Sequence, residues 1–157
     1  IVMLPVPEND SATGKTKMET MRTRILSVAG VQQVSYCMQA PASQSNNNNS
    51  IYYENRPKQE IWSVNAKDAD SKYLSTFGLQ LVAGRNMFQS DTTTEYLVNE
   101  TLVKKFNFKS PADIINKNIN VNGKKAPVVG VVKDFYNYSF HTEVAPILLN
   151  HDVGCHL

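Results

Sequence analysis

"VVGVVKDFYNYSF", Val128–Phe140, decides how this chain folds. Four β-branched valines around Gly130 form a run suited to a buried strand. Lys133 and Asp134 end it, and a burst of aromatic residues follows. Asp134 is then either a carboxylate delivered to a site or the polar exit of the strand. The preceding residues decide between these. "NINV" (Asn118–Val121), Asn122-Gly123 and "KKAPVVGVVKDF" (Lys124–Phe135) read as a hairpin around a type I′ turn, in which both central residues need positive φ. Val128–Val132 is thus the far half of a hairpin arm. Gly130 marks a bulge or a close approach, and Asp134 reads as a capping or ion-paired exit.

Working outward, residues 1–6 read as a short strand or the end of a removed segment, and Pro5 to Gly14 as loop. Thr16 and Glu19 form a Thr-x-x-Glu capping box for a helix with Met18, Met21, Ile25 and Val28 on one stripe, stopped by Gly30. Val31–Ala40 reads as a strand and Ser43–Asn49 as an asparagine-rich loop. "SIYYEN" and "EIWSVNA" read as strands. Asp68 is the expected cap of a short helix through Tyr73, Leu74 and Phe77, closed by Gly78. "LQLVAG" and "EYLVN" are strands, the second running into a helix from Glu100 to Phe106. Ser110-Pro111 starts a small helix to Ile115, and "APILLNH" is the last strand. The mixture is α+β, with largely antiparallel sheets and a few short helices.

The 157 residues carry sixteen basic and fourteen acidic side chains, a net charge of +2. That balance does not give the basic stripe of a nucleic-acid binder. Lys15, Lys17, Arg22 and Arg24 cluster on one helix and read as its solvated face. No stretch reaches the roughly 20 apolar residues of a membrane span. The opening Ile1-Val2-Met3-Leu4 has no basic segment before it and breaks at Pro5, unlike a signal peptide. With no initiating Met, these features suggest a piece excised from a longer protein, or a processed one.

Four chemical motifs are weighed against plainer readings. "ATGKT" (Ala12–Thr16) resembles part of a phosphate-binding loop, but Asn9 stands where the first glycine belongs, and Glu8 and Asp10 would repel phosphates. A helix start is the better reading. His141, His151, Cys155 and His156 gather near the end, yet offer only half of a zinc pattern. Neither Cys37 nor Cys155 sits in a catalytic motif, no Gly-x-Ser-x-Gly occurs, and whether the two cysteines pair is open. Asp91, Glu100 and Asp134 are candidate acids only by residue type. The Asn-x-Ser/Thr sequons at Asn9, Asn48, Asn99 and Asn137 are expected by chance in an Asn-rich chain.

Several pieces in order resemble one family. "FGLQLVAGRNMFQSD" (Phe77–Asp91), "YLVNETLVKKFNF" (Tyr96–Phe108) and Ile115–Leu148, with its Val-Val-Gly-Val-Val-Lys-Asp-Phe strand, are similar to the extracytoplasmic core domain of MacB/FtsX-type ABC transporter permeases. "METMRTRILSVAGVQQVSYC" (Met18–Cys37) resembles its helix-then-strand opening. The likeness runs from about Met18 to about Leu149, with Gly84, Arg85, Asp91, Asn99, Glu100, Gly130, Asp134 and Phe135 as signature positions. Asn116 replaces a family glycine before the hairpin, and the Asn-rich tract has no counterpart in the pattern.

The resemblance implies two small subdomains, a discontinuous porter-like one (1–66 and 124–157) and an inserted one (67–123). It implies a loop domain on the periplasmic side of the inner membrane, within a multi-pass parent protein. It implies no catalysis and no cofactor here, with ATP bound at a separate subunit or domain. Partners would be the rest of the permease, an ATPase subunit, a periplasmic adaptor or cargo protein, and a second copy in the full transporter; nucleic acid is not among them. The expected role is to transmit ATP-driven motion or to contact cargo, with Tyr136, Tyr138 and Phe140 as candidate contact surface, beside Tyr52, Tyr53 and Trp62. The alternatives are a peptide- or lipid-binding module with a cleft between subdomains and, ranked last, a hydrolase using Asp134 or the His-rich end.

Overall fold

The computed structural model describes residues 1–6, 12–43, 47–54, 56, 60–90, 92–137 and 143–151, with backbone alone at 12–15. The elements are α1 (Ala12–Leu26), β1 (Asn47–Tyr53), β2 (Ser63–Asp68), α2 (Tyr73–Phe77), β3 (Leu81–Gly84), β4 (Tyr96–Asn99), α3 (Glu100–Lys105), a 3₁₀ turn (Pro111–Ile114), β5 (Asn118–Val121), β6 (Lys124–Val132) and β7 (Ile147–Asn150). The α+β class is as expected.

The hairpin forms where the sequence places it. Asn122 and Gly123 take φ of 50° and 84°, and β5 pairs with the first half of β6 from Asn118 opposite Pro127 to Val121 opposite Lys124. Beyond that point β6 holds two other strands, β3 antiparallel on Gly130–Val132 and β4 parallel from Val128 to Val132. The strand order is β3-β6-β4-β7-β2-β1-β5, and β5 returns to β6, so the hydrogen bonding closes into a ring. Only β4–β6 and β2–β7 are parallel. The expected boundaries at 66/67 and 123/124 are crossed by this bonding: the first falls inside β2, and β3 and β4 pair with β6 and β7.

Alternation along the strands builds two cores. Ile51, Val64, Val98, Ile119, Val128, Val131 and Leu148 pack on one face with Leu102, Phe106 and Ile114. Leu97, Val129, Val132 and Leu149 pack on the other with Tyr73, Leu74 and Met87. Val128 and Val131 share a face although three residues apart, because Tyr96 faces Val128 while Leu97 faces Gly130. The extra residue, Val129, is a bulge that resets the alternation.

Several local expectations change. Residues 1–6 form no strand. α1 starts at Ala12, so Thr16 is interior, its carbonyl accepting from Thr20 Oγ1 at 2.8 Å. Val31–Ala40 forms no strand and makes one isolated bridge, Cys37 opposite Ala69, among the described residues. Asn47–Asn49 are not loop but the start of β1. There Asn49 is buried, donating to the Asn47 carbonyl at 2.9 Å and accepting from the Asn122 amide. Asp68 lies in β2, and Asp70 instead accepts from Lys72 N at 3.0 Å before α2. The small helix at Pro111 is a 3₁₀ turn, but Ser110 and Asp113 do form its capping box. Asn116 adopts the φ of 62° that a glycine would supply, a conformation asparagine tolerates through local hydrogen bonding.

Two glycines fix the crossing of β3 and β6. A Cβ on Gly130 would lie 2.2 Å from the Arg85 carbonyl oxygen and 2.8 Å from Leu97 Cδ2. One on Gly84, at φ 71°, would lie 2.2 Å from the Val129 carbonyl oxygen and 2.9 Å from Gly130 Cα. Backbone atoms on both sides leave nothing soft to move. Gly130→Ala is therefore expected to lower unfolding free energy by about 3 kcal/mol in urea titration. Gly123→Ala, with open space around it, is expected to lose only about 1 kcal/mol. Equal losses would contradict the crossing.

Candidate functional site: two polar junctions

Because β4 and β6 run parallel with Asn99 opposite Val132, both strands end at the same edge. This brings the distant acids of the sequence together. Asp134 Oδ1 accepts from Thr101 N and Oδ2 from Thr101 Oγ1, each at 2.9 Å, while Asp134 N donates to Glu100 Oε2 at 3.1 Å. Lys104 Nζ stands 3.8 Å away. Asp134 thus satisfies the first turn of α3, where a carboxylate also suits the helix dipole. Both of its oxygens already hold donors, which is the arrangement of a cap.

Asn99 is fully buried at the same edge. Its Oδ1 accepts from Leu102 N at 3.1 Å and from Ile147 N at 2.9 Å, and its Nδ2 donates to the Ala145 carbonyl at 2.9 Å. One amide therefore caps α3 and ties it to the entry of β7. Arg85 follows the Gly84 crossing, pairs with Glu95 through two nitrogens and covers the Phe88 ring at 4.0 Å. Hydrogen bonding from Arg85 holds the Glu95 carboxyl below its usual range. Phe135 packs against the second core. Tyr136 is exposed, whereas Asp91, Tyr138 and Phe140 lie outside the described residues.

Other sequence candidates do not converge. Cys37 is half-buried, and burial, then the Asp70 charge, push its thiol up to about 11, a poor setting for a nucleophile. His151 is buried, and His141, Cys155 and His156 lie outside the described residues. Among the described residues no cluster of three or more His, Cys, Asp or Glu side chains could hold a metal. "ATGKT" occupies the first turns of α1, so its backbone is helical and does not wrap a phosphate. Tyr53 and Trp62 stack with Phe106 and Phe108 at centroid distances of 5.1–5.7 Å, and Arg56 donates to the Phe106 carbonyl at 2.6 Å. They close one core and offer little contact surface. A groove of about 590 Å³ runs along α1, and among the described residues its lining lies between Thr16 and Val28.

The second junction was not singled out from sequence. The Asp70 carboxylate is buried and accepts from Arg22 Nη2 at 2.5 Å, Tyr36 N at 3.0 Å, Ser35 Oγ at 2.7 Å and Lys72 N at 3.0 Å. Arg22 lies over the Tyr36 ring at 4.4 Å, and Tyr36 Oη donates to the Met18 carbonyl. Asp70 N in turn donates to the Tyr36 carbonyl at 3.0 Å. On the other side, Ala69 N donates to the Asn150 carbonyl at 3.0 Å and Asn150 Nδ2 to Asp68 Oδ1 at 2.7 Å. Asp68–Asp70 therefore holds α1 by one end and β7 by the other. The available signal was an acid, Asp70, in the short link between β2 and α2. Nearby, Lys67 is fully buried with Nζ 3.1 Å from the Ala40 carbonyl, and desolvation depresses its ammonium to about 8.

A family model described as "MacB-like periplasmic core domain" matches residues 4–149. The chain superposes on the periplasmic region of MacB from Actinobacillus actinomycetemcomitans with a TM-score of 0.60 and 16% identity, covering 94% of this chain and 64% of that one. It superposes on the extracellular domain of the noncanonic ABC-type transporter YknZ from Gram-positive bacteria with a TM-score of 0.58 and 17% identity, covering 85% and 62%. The chain thus spans a little under two thirds of these structures' lengths. No curated protein matches the sequence. No helix among the described residues is long and apolar enough to cross a membrane.

Two measurements test the junctions. Asn99→Ala strands two buried N–H groups and a carbonyl and is expected to cost about 3 kcal/mol in denaturant unfolding. Lys67→Met should raise the melting temperature at pH 7. The folded-state value of Lys67, about 8, lies below the ordinary 10.5, so the cost of burying its charge is complete below pH 8. It is relieved as pH rises from 8 to 10.5, since the unfolded chain there binds more protons. The gap between variant and parent should shrink over that window; a constant gap would contradict a charged Lys67.

Proposed function

The chain belongs to the MacB-like periplasmic core domain family and is an extracytoplasmic domain of a MacB-type ABC transporter permease, and from that premise we propose that it works as a mechanical relay without catalysing a reaction of its own. ATP is bound by another subunit or domain, and the motion it drives reaches this body through the ends of the segment. The partners on this reading are the rest of the permease, its ATPase, and an adaptor or cargo protein outside the membrane. A second copy completes the transporter.

One observation carries the reading. The first helix and the last strand, far apart in sequence, are fastened to the same three residues, Asp68–Asp70, by buried hydrogen bonds and an ion pair. A displacement of either end is delivered to the same point of the ring. β2, which leads into that point, is bonded to both β1 and β7, so the load spreads into the sheet. Of the carboxylates that could have suggested chemistry, Asp134 is occupied as an acceptor at the start of α3 and Glu100 accepts from the Asp134 amide beyond β6.

The test uses the full-length permease with its ATPase. Asp70→Ala removes the acceptor while leaving β2 and β7 paired. The expected result is ATP hydrolysis within about twofold of the parent and transport reduced about tenfold or more, as for loss of a coupling energy of 1–3 kcal/mol. Unchanged transport in a folded Asp70→Ala protein would remove the relay reading.

A further inference from the structure

α1 has two unlike sides. Met18 and Arg22 are turned to the body, where the Met18 carbonyl accepts from Tyr36 and Arg22 holds Asp70. The open groove lies along the other side, lined by Lys17, Met21, Arg24, Ile25 and Val28 with Thr16 and Thr20. Every lining residue belongs to α1 or the turn just after it, so among the described residues the facing wall is missing. Val28 is 57% and Leu26 43% exposed. Lys17 and Arg24 are exposed, and among the described residues neither is in an ion pair. Ile1, Val2, Met3 and Leu4, in the same part of the chain, are all exposed as well.

This pattern selects its occupant by charge. A second α1 would set Lys17 and Arg24 of one copy against the same cations of the other, a repulsive arrangement. An apolar stripe rimmed by cations that have no ion-pair partner among the described residues fits an anionic amphipathic surface, where apolar side chains enter the acyl boundary and Lys and Arg reach headgroup phosphates. We propose that this side of α1 is a docking face for anionic phospholipid headgroups, through Lys17 and Arg24, with Met21, Ile25 and Val28 seated at the acyl boundary. The inference rests on the permease assignment only for the presence of a membrane beside the domain.

Flotation of the purified 157-residue chain with vesicles tests it. Vesicles containing phosphatidylglycerol are expected to carry about tenfold more protein than vesicles of phosphatidylcholine alone, with the excess lost at high salt. The double variant Lys17→Glu/Arg24→Glu, both positions exposed, should fold as the parent does by circular dichroism and lose the excess. Met21→Ser/Ile25→Ser should weaken binding with the charge dependence retained. Equal binding to both vesicles, binding to neither, or full binding by the charge-reversed variant would overturn the proposal. Capture of a soluble acidic helical peptide with no vesicle binding would overturn it in favour of a protein partner. Flotation does not read transport, so a negative result leaves the relay reading standing, and a transport defect in Asp70→Ala leaves this proposal untouched.

Discussion

The Asp70 carboxylate is taken out of water and given four donors in exchange: a guanidinium, a hydroxyl and two backbone amides. A charge in that position is stable only while its partners stay. The donors come from three places: Arg22 from α1, Ser35 and Tyr36 from the extended segment after it, Lys72 from the link into α2. The N-terminal third of the chain contributes little to either apolar core, so this carboxylate, with Tyr36 between α1 and the sheet, does for α1 what apolar burial does for the other elements. Charge-assisted bonds of this kind are also directional. They fix where α1 sits as well as that it is attached.

The ring gives that attachment something rigid to act on. β6 alone contacts three strands, which is possible because its first half faces β5 and its second half faces β3 and β4. The change of neighbour coincides with the Val129 bulge and the Gly84–Gly130 approach. Asn99 then closes the far edge by bonding α3 and the β7 entry with one side chain. Low compressibility of such a packed, hydrogen-bonded ring, joined to α1 and β7 both meeting Asp68–Asp70, is the ground on which the relay is proposed.

What the sequence made legible was local. The Asn122-Gly123 turn, the Ser110-Pro111 helix start and the Gly78 helix stop are each written in residues close together in sequence, and each formed. Asn99, Glu100, Gly130 and Asp134 were visible as family-signature positions, but their convergence depends on β4 and β6 lying parallel, which no local pattern encodes. The Asn-rich tract misled because composition favours loop, whereas the backbone of Asn47–Ser50 finds β2 to pair with and Asn49 finds Asn122. Val31–Ala40 has strand-forming residues but only one bridge to the sheet. Asp70 was missed because three of its donors lie 34 to 48 residues away. The cap read at Asp68 did not form: Asp68 ends β2, and α2 has no side-chain cap.

Asp70 fastens α1 without setting the stability of the ring. Hydrogen–deuterium exchange resolved by peptide, on the parent and on Asp70→Asn, separates the two directly. Amides of α1 and of Val31–Ala40 are expected to lose most of their protection in the variant while those of β4, β6 and β7 keep theirs. Unchanged protection of α1, or an equal loss across the whole chain, would contradict it.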